Sequence, residues 1–517
     1  MSALKRIASA TAASWIRLAV SMASQLALVP IYLTHWGKDT YGVWIAAQAL
    51  LAFFQLLDAG HSNFMGGEFL KLGAGARPAL ARLFYSAVPV AAVVGTVELL
   101  ALLVFLQFSQ QWFLASHNHE VTPELFRQVR IALILQMLIF VVYVSAGGIM
   151  FRLLSAFGYY SRIMWWAAFG DMLSLAAPAI AVSRGAGILG VVILITCITV
   201  VYNSFYYWDL WQLMKREQML PVRPDFRLGA RNFLHSLILT LKSLLEMLRQ
   251  QGARVILAPL AGVRELTAFA TMRTGANTAL QGLNTITNPL LPELMRFLNQ
   301  RDQARSEGAF GSVWLIVLGL MAPAVVVLQV VAPPLFVVWT RGKIIFDPLL
   351  FGSFSLGVLV YALAQPAIAV TMGNNLLRPQ LLLSAVTGGT TVAGMFLLVP
   401  VWGIRGAAVS LLAAEILAAV GYTRTATYWL KENGLIWPWA AYRRVVAGVG
   451  VAGIGMAAIA LWPRFKFGFA ILCLAAQAVC LLAYWRQLPA LARNRVLSLI
   501  AGRLPGRWVG WLGRVLS

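Results

Sequence analysis

The chain has 517 residues and a formal net charge of +23; 60% of its residues are hydrophobic and only 11% charged, where a soluble domain carries about a quarter charged residues. This composition excludes a string of soluble domains of the same length. It also excludes a nucleic-acid binder, because a basic patch needs a polar face to carry it, and these cations sit in short breaks between apolar runs.

In chain order, Lys5 and Arg6 lead into an apolar stretch that continues past Pro30 with no small-residue cleavage site, so it is expected to be the first span, not a leader. Further apolar runs follow at 40–60, 82–108, 129–152, 162–183, 186–212, 234–259, 265–290, 311–338, 349–372, 379–401, 404–428, 444–462 and 467–486. With the first at 13–35 they predict fourteen transmembrane helices, each long enough for a hydrocarbon core of about 30 Å at about 1.5 Å per residue. The expected fold class is therefore an all-α polytopic membrane protein. Counting Lys and Arg in alternate breaks gives 26 on one side and 10 on the other, which predicts both termini on the cytoplasmic side. The longest external break, near 109–128, has little room for a catalytic domain. Cys197, Cys473 and Cys480 lie in apolar segments without metal-ligand spacing, so neither a disulfide nor a zinc site is expected.

Two segments echo each other. VPIYLTHWGKDTYGVW (29–44) and LAPLAGVRELTAFA (257–270) each join a proline-containing span end to a Gly-containing charged turn and then an aromatic. The echo fits two six-helix bundles, 1–214 and 232–430, joined by a basic linker at 215–231, and transporters are often built from such repeats. Helices thirteen and fourteen (431–486) would form an appendage, and 487–517 a basic amphipathic cytoplasmic tail lying on the anionic leaflet.

The segment at 29–44 together with LLDAGHSN at 56–63 resembles the first two spans of bacterial polysaccharide exporters, the O-antigen and lipid-linked oligosaccharide flippases of the MOP exporter superfamily. The residues that carry the resemblance are Pro30, Gly37, Tyr41, Gly42, Trp44, Leu57, Asp58 and Gly60; His61 departs from it. The resemblance implies a V-shaped pair of bundles working by alternating access in the bacterial inner membrane. It implies as substrate an undecaprenyl-diphosphate-linked sugar repeat unit for O-antigen or exopolysaccharide biosynthesis. The partners it implies are that polyprenyl-diphosphate-linked glycan, membrane lipids, and polysaccharide polymerase and chain-length proteins.

Five cations fall inside predicted spans: Arg17, Lys242, Arg249, Arg254 and Arg273. An arginine or lysine at a span centre costs about 2.5–3.5 kcal/mol, so it faces a cavity or a partner. Arginine also suits a diphosphate, because its planar fork makes paired hydrogen bonds to phosphate oxygens. These five are the candidate substrate-binding residues; the plainer alternatives are neutralisation of Lys242 or Arg249 by Glu246 and snorkelling of Arg17 to the interface. The acidic counterparts within spans are Asp58, Glu98, Asp171, Glu246 and Glu415, candidates for ion coupling. For Asp58 a helix-end role beside Gly60 is the competing expectation. No cofactor is expected beyond coupling to a H+ or Na+ gradient or to the membrane potential. The competing functions are a peptidoglycan-precursor flippase, a multidrug exporter of the same superfamily, and a membrane glycosyltransferase or ligase. The last would need a sizeable loop with paired carboxylates or a metal site.

Overall fold

The structure is a computed structural model that describes residues 3–114, 122–287, 294, 297–298, 300–374 and 376–488. The tail expected at 487–517 and part of the external break near 109–128 therefore fall outside the described residues. The rest is helical in a simple succession: α1 (Ala3–His35), α2 (Gly37–Phe54), α3 (Leu56–Leu72), α4 (Arg77–Leu114), α5 (Pro123–Ile139), a π-helical turn (Phe140–Ser145), α6 (Ala146–Ala156), α7 (Tyr160–Ser183) and α8 (Ile188–Arg216). Then come α9 (Phe226–Gln250), α10 (Gly252–Ala261), α11 (Val263–Thr287), α12 (Gln303–Ile316), α13 (Ala322–Trp339), α14 (Pro348–Gly373), α15 (Leu377–Trp402), α16 (Ile404–Glu432), α17 (Trp439–Leu461) and α18 (Lys466–Trp485).

Local chemistry sets several of the boundaries. Thr122, Asp225, Asp302 and Asp347 each accept a backbone N–H of the helix that follows, which satisfies donors that have no partner within the helix. The Asp225 carboxyl is held below the ordinary carboxylate range, first by the Leu228 N–H and then by Arg82.

Among the described residues, eleven helices are long and apolar enough to cross a membrane, or twelve when the bent pair α2–α3 counts as one span. The two expected spans outside that count are α9–α10 and α11. They fall short because they carry the charge: Arg227, Arg231, Lys242, Glu246 and Arg249 on α9, and Arg264, Glu265 and Arg273 on α11. The expected span at 40–60 is a broken helix, bent by 49° at Gln55. The chain is a multi-pass α-helical membrane protein.

It divides into two compact units, Met1–Ala270 and Thr271–Ser517. The first unit takes in the basic linker expected at 215–231 and, beyond it, α9 and α10, which pack against α2, α3 and α4. One stripe of α9, made by Gly229, Asn232, Ser236 and Thr240, is buried. A Cβ on Gly60 of α3 would run into the Thr240 side chain, and one on Gly229 into the Ser86 carbonyl of α4. Small residues here let backbones approach closely, as membrane helices require.

The two echoing segments meet inside this unit. Gly37 and Gly262 occupy equivalent turns and both take positive φ, +76° and +90°, a conformation that glycine alone adopts without steric cost. Arg264 makes a two-pronged ion pair with Asp39 (Nε–Oδ1 2.6 Å, Nη2–Oδ2 3.0 Å), and the Thr267 hydroxyl donates to the Lys38 carbonyl at 2.7 Å.

In the second unit the core is aromatic and aliphatic, built around Phe310, Trp314, Trp437 and Tyr442. Trp314 Nε1 donates to the Leu363 carbonyl at 3.0 Å, and the Tyr484 hydroxyl to that of Gly311 at 2.9 Å.

Candidate functional site

The cations predicted from sequence take different positions. Arg17, on α1, donates from Nε to Asp171 Oδ2 on α7 at 2.7 Å, so a substrate candidate and an ion-coupling candidate form one half-exposed pair. Lys242 and Glu246 pair along α9 at 3.7 Å, the one-turn spacing that brings side chains together on a helix. Arg254, on α10, interacts electrostatically with Tyr41, and its Nε is shielded from solvent without a hydrogen-bond partner. Tyr41 itself belongs to an aromatic group with Tyr32, Trp36 and Trp44. Arg249 lies on α9, but its side chain is outside the described residues. In the second unit Arg273 is half-buried on α11, and Glu415 of α16 lies beside Gly357 of α14.

The carboxylates Asp58 and Glu98 come together, although 40 residues separate them. Asp58 sits in the first turn of α3, just past the break at Gln55, and is 4% exposed; Glu98, on α4, is 2% exposed. Glu98 Oε1 accepts the Asp58 backbone N–H at 3.0 Å. A carboxylate from another helix thus caps a broken one, at the end where helix N–H groups favour negative charge. Asp58 Oδ1 accepts the Ser145 hydroxyl at 2.5 Å, and Ser145 closes the π-helical turn. Such turns place a side chain out of helical register and are common at functional sites. Arg152 of α6 acts electrostatically on Asp58 and is itself held by the Gly148 carbonyl (2.8 Å) and by Asn63 Oδ1 (2.6 Å).

Asp58 therefore fills the helix-end position expected of it and is also part of a buried charged cluster. Sequence reasoning missed Ser145 and Arg152. FVVYVS at 140–145 reads as plain apolar helix, and Arg152 stands at the very end of the expected span 129–152. The Arg17–Asp171 pairing was missed as well, because nothing in the local sequence links residues 154 apart.

No protein-family model matches the chain, and neither does any curated sequence. Solved structures do. A lipid II flippase, MurJ, in its inward closed conformation superimposes with a TM-score of 0.62 at 11% identity, over 93% of this chain and 99% of that one. An inward-facing multidrug resistance transporter of the MATE family superimposes at 0.63 with 14% identity, over 81% of this chain and 98% of that one. The chain shares the fold of these two proteins. A third MOP transporter, from Pyrococcus furiosus and described as having a binding pocket of reverse polarity, superimposes at 0.55 with 15% identity, over 83% of this chain and 96% of that one. The MurJ match thus covers more of this chain than either of the other two. The first of these neighbours is described as a flippase and the other two as transporters.

Proposed function

We propose that this protein is a flippase that moves undecaprenyl-diphosphate-linked oligosaccharide repeat units from the cytoplasmic to the periplasmic leaflet of the inner membrane, for O-antigen or exopolysaccharide biosynthesis. What supports the reading is the set of cations on two polar helices, α9 and α11, that the sequence places within spans, in a chain that shares its fold with these transporters. Cations held in a bilayer at a cost of about 2.5–3.5 kcal/mol each imply an anionic cargo. A diphosphate supplies the anion, and the polyprenyl tail can remain in lipid. With the termini cytoplasmic, moving one negative charge outward through an inside-negative potential releases about 2.3 kcal/mol per 100 mV. Voltage alone therefore contributes to export.

Alternating access also needs a contact that forms in one state and breaks in the other. The ion pair between Asp39 and Arg264, with Thr267 on the Lys38 carbonyl, joins the equivalent turns of the echoing segments and suits that role. In this reading Arg17, Lys242, Arg249, Arg254 and Arg273 meet the diphosphate. Polymerase and chain-length proteins would receive the product.

Charge reversal tests this directly. Arg249→Glu and Arg273→Glu variants are expected to insert normally and to abolish surface glycan, read on glycan-stained gels; normal export would overturn the cationic-cargo reading. A peptidoglycan-precursor flippase is the second reading, favoured by the near-complete overlap with the lipid II flippase. Gene deletion separates the two: loss of a surface glycan in viable cells supports the first, and lethality the second.

A further inference from the structure

Where the second span breaks at Gln55, the start of α3 leaves backbone N–H groups without helical partners. Glu98 takes the Asp58 N–H with one carboxylate oxygen, and the Leu57 backbone also acts on the carboxylate; the other oxygen, Oε2, is buried and has no hydrogen bond of good geometry. One turn on from Asp58, His61 is fully buried; the Ala87 backbone acts on its ring, but neither ring nitrogen has a hydrogen bond of good geometry, and the neighbouring Ser62 hydroxyl has no partner. The break is thus lined by polar atoms with unused bonding capacity.

The charges around it do not balance. From α6, Arg152 is the cation that acts on Asp58, and it also interacts with Tyr206 of α8. From α9, Lys242 is engaged by Glu246, and His235 lies against the Phe64 ring. On α3 itself, Lys71 is engaged by Glu68, and the His61 ring meets Phe233 edge-on. Two buried carboxylates therefore face one guanidinium. A buried charge without a partner is costly and is relieved by neutralisation. A hard metal cation would need about six oxygens, and this group offers far fewer.

We propose that Asp58 and Glu98 share one exchangeable proton, and that the break between α2 and α3 is a proton-binding site. Ser145 shows how the proton is read. Its Oγ lies 2.5 Å from Asp58 Oδ1 and 3.2 Å from the Ala91 carbonyl, and it has a single proton to donate. While Asp58 is ionised, Ser145 donates to it. Once Asp58 takes the proton, Asp58 donates to Ser145 Oγ and Ser145 turns to Ala91 on α4. When the proton sits on Glu98 Oε2, Oε1 keeps the α3 N–H; when it leaves to water, two negative charges remain at the bend. The bend thereby becomes sensitive to protonation. Use of this site to drive transport rests on the flippase reading; proton binding does not.

The test is an infrared pH titration of the full chain, purified and reconstituted in lipid. A carboxylic-acid carbonyl band is expected to persist at neutral pH and to vanish in Glu98→Gln. In Asp58→Asn and Ser145→Ala the band should titrate with proton affinity changed by about tenfold, one pH unit. A wild-type protein with no such band at neutral pH overturns the proposal without recourse to any variant, and so does a Glu98→Gln spectrum identical to the wild type. Replacing K+ by Na+ should leave the titration unchanged; displacement of the band by Na+ would make this a metal-ion site instead. Because no substrate is present, an intact band alongside normal export by Arg249→Glu would sink the cargo reading and leave the proton site standing.

Discussion

The interiors of the two units are built on different rules. Among the described residues, every buried carboxylate or histidine (Asp58, His61, Glu98 and Asp209) lies in the first unit. The buried polar side chains of the second are neutral hydroxyls and amides. Several of its hydroxyls donate to the carbonyl four residues back on their own helix, as Thr371 does to Ala367 and Ser410 to Gly406. Gln329 and Gln380 donate to the carbonyls of Pro348 and Thr371. These bonds are made without reference to any ionisable neighbour. A neutral interior holds its shape at any pH, whereas a charged one can change state. The fully buried ionisable groups are therefore concentrated in the first unit, while Arg273 and Glu415 of the second are only partly buried.

Placing an acid in the second interior breaks this contrast most sharply. Val326→Glu puts a carboxylate where the wild-type residue is fully buried, and an unpaired buried charge costs several kcal/mol. Loss of monodisperse protein on size-exclusion chromatography is expected, and a folded Val326→Glu protein would show that the second interior tolerates charge as the first does. Gly60→Val comes next. It forces α3 away from Thr240, an overpacking penalty of about 1–3 kcal/mol, seen as a lower thermal midpoint in detergent; an unchanged midpoint would mean the close approach is not a constraint.

A double-mutant cycle on Arg17→Ala and Asp171→Ala should yield about 0.2–1 kcal/mol where the exposed side of the pair meets cavity water, both side chains being 38% exposed. A larger coupling would move that pair into the class of the buried cluster. Smallest is the Asp225 cap. Its folded-state carboxyl titrates below the ordinary range, so its contribution is complete above the unfolded value of about 4 and fades as pH falls through the folded one. Hydrogen exchange at the start of α9, corrected for intrinsic rates, should accelerate only under acid, and Asp225→Asn should flatten that response.

Much of the fold was readable in composition: apolar runs of span length and asymmetric basic breaks gave the membrane class and most helices. The break at Gln55 was not, since LLAFFQLLDAG is continuously helix-permissive and the kink is held by Glu98 from another helix. Asp58 and Glu98 were each visible as anomalous acids in apolar spans. Their meeting was not, because it depends on α3 and α4 packing side by side. Ser145 gave no signal, as a serine in an apolar run is common and the π-helical turn has no residue signature here. The late division of the units was also hidden: hydropathy locates helices but says nothing of which neighbour a stripe such as Gly229, Asn232, Ser236 and Thr240 will face.

That stripe has a consequence for anyone dividing the gene. The echo between 29–44 and 257–270 invites a cut in the linker at 215–231, as though each repeat could be made separately. A fragment ending there would expose the faces of α3 and α4 that α9 covers, at Gly60 and Ser86. The Asp39 turn would also be left without Arg264. The repeat suggested by the echo and the compact unit are offset by two helices and the start of a third, so complementing fragments should be designed to keep α9, α10 and the start of α11, through Ala270, with the N-terminal piece.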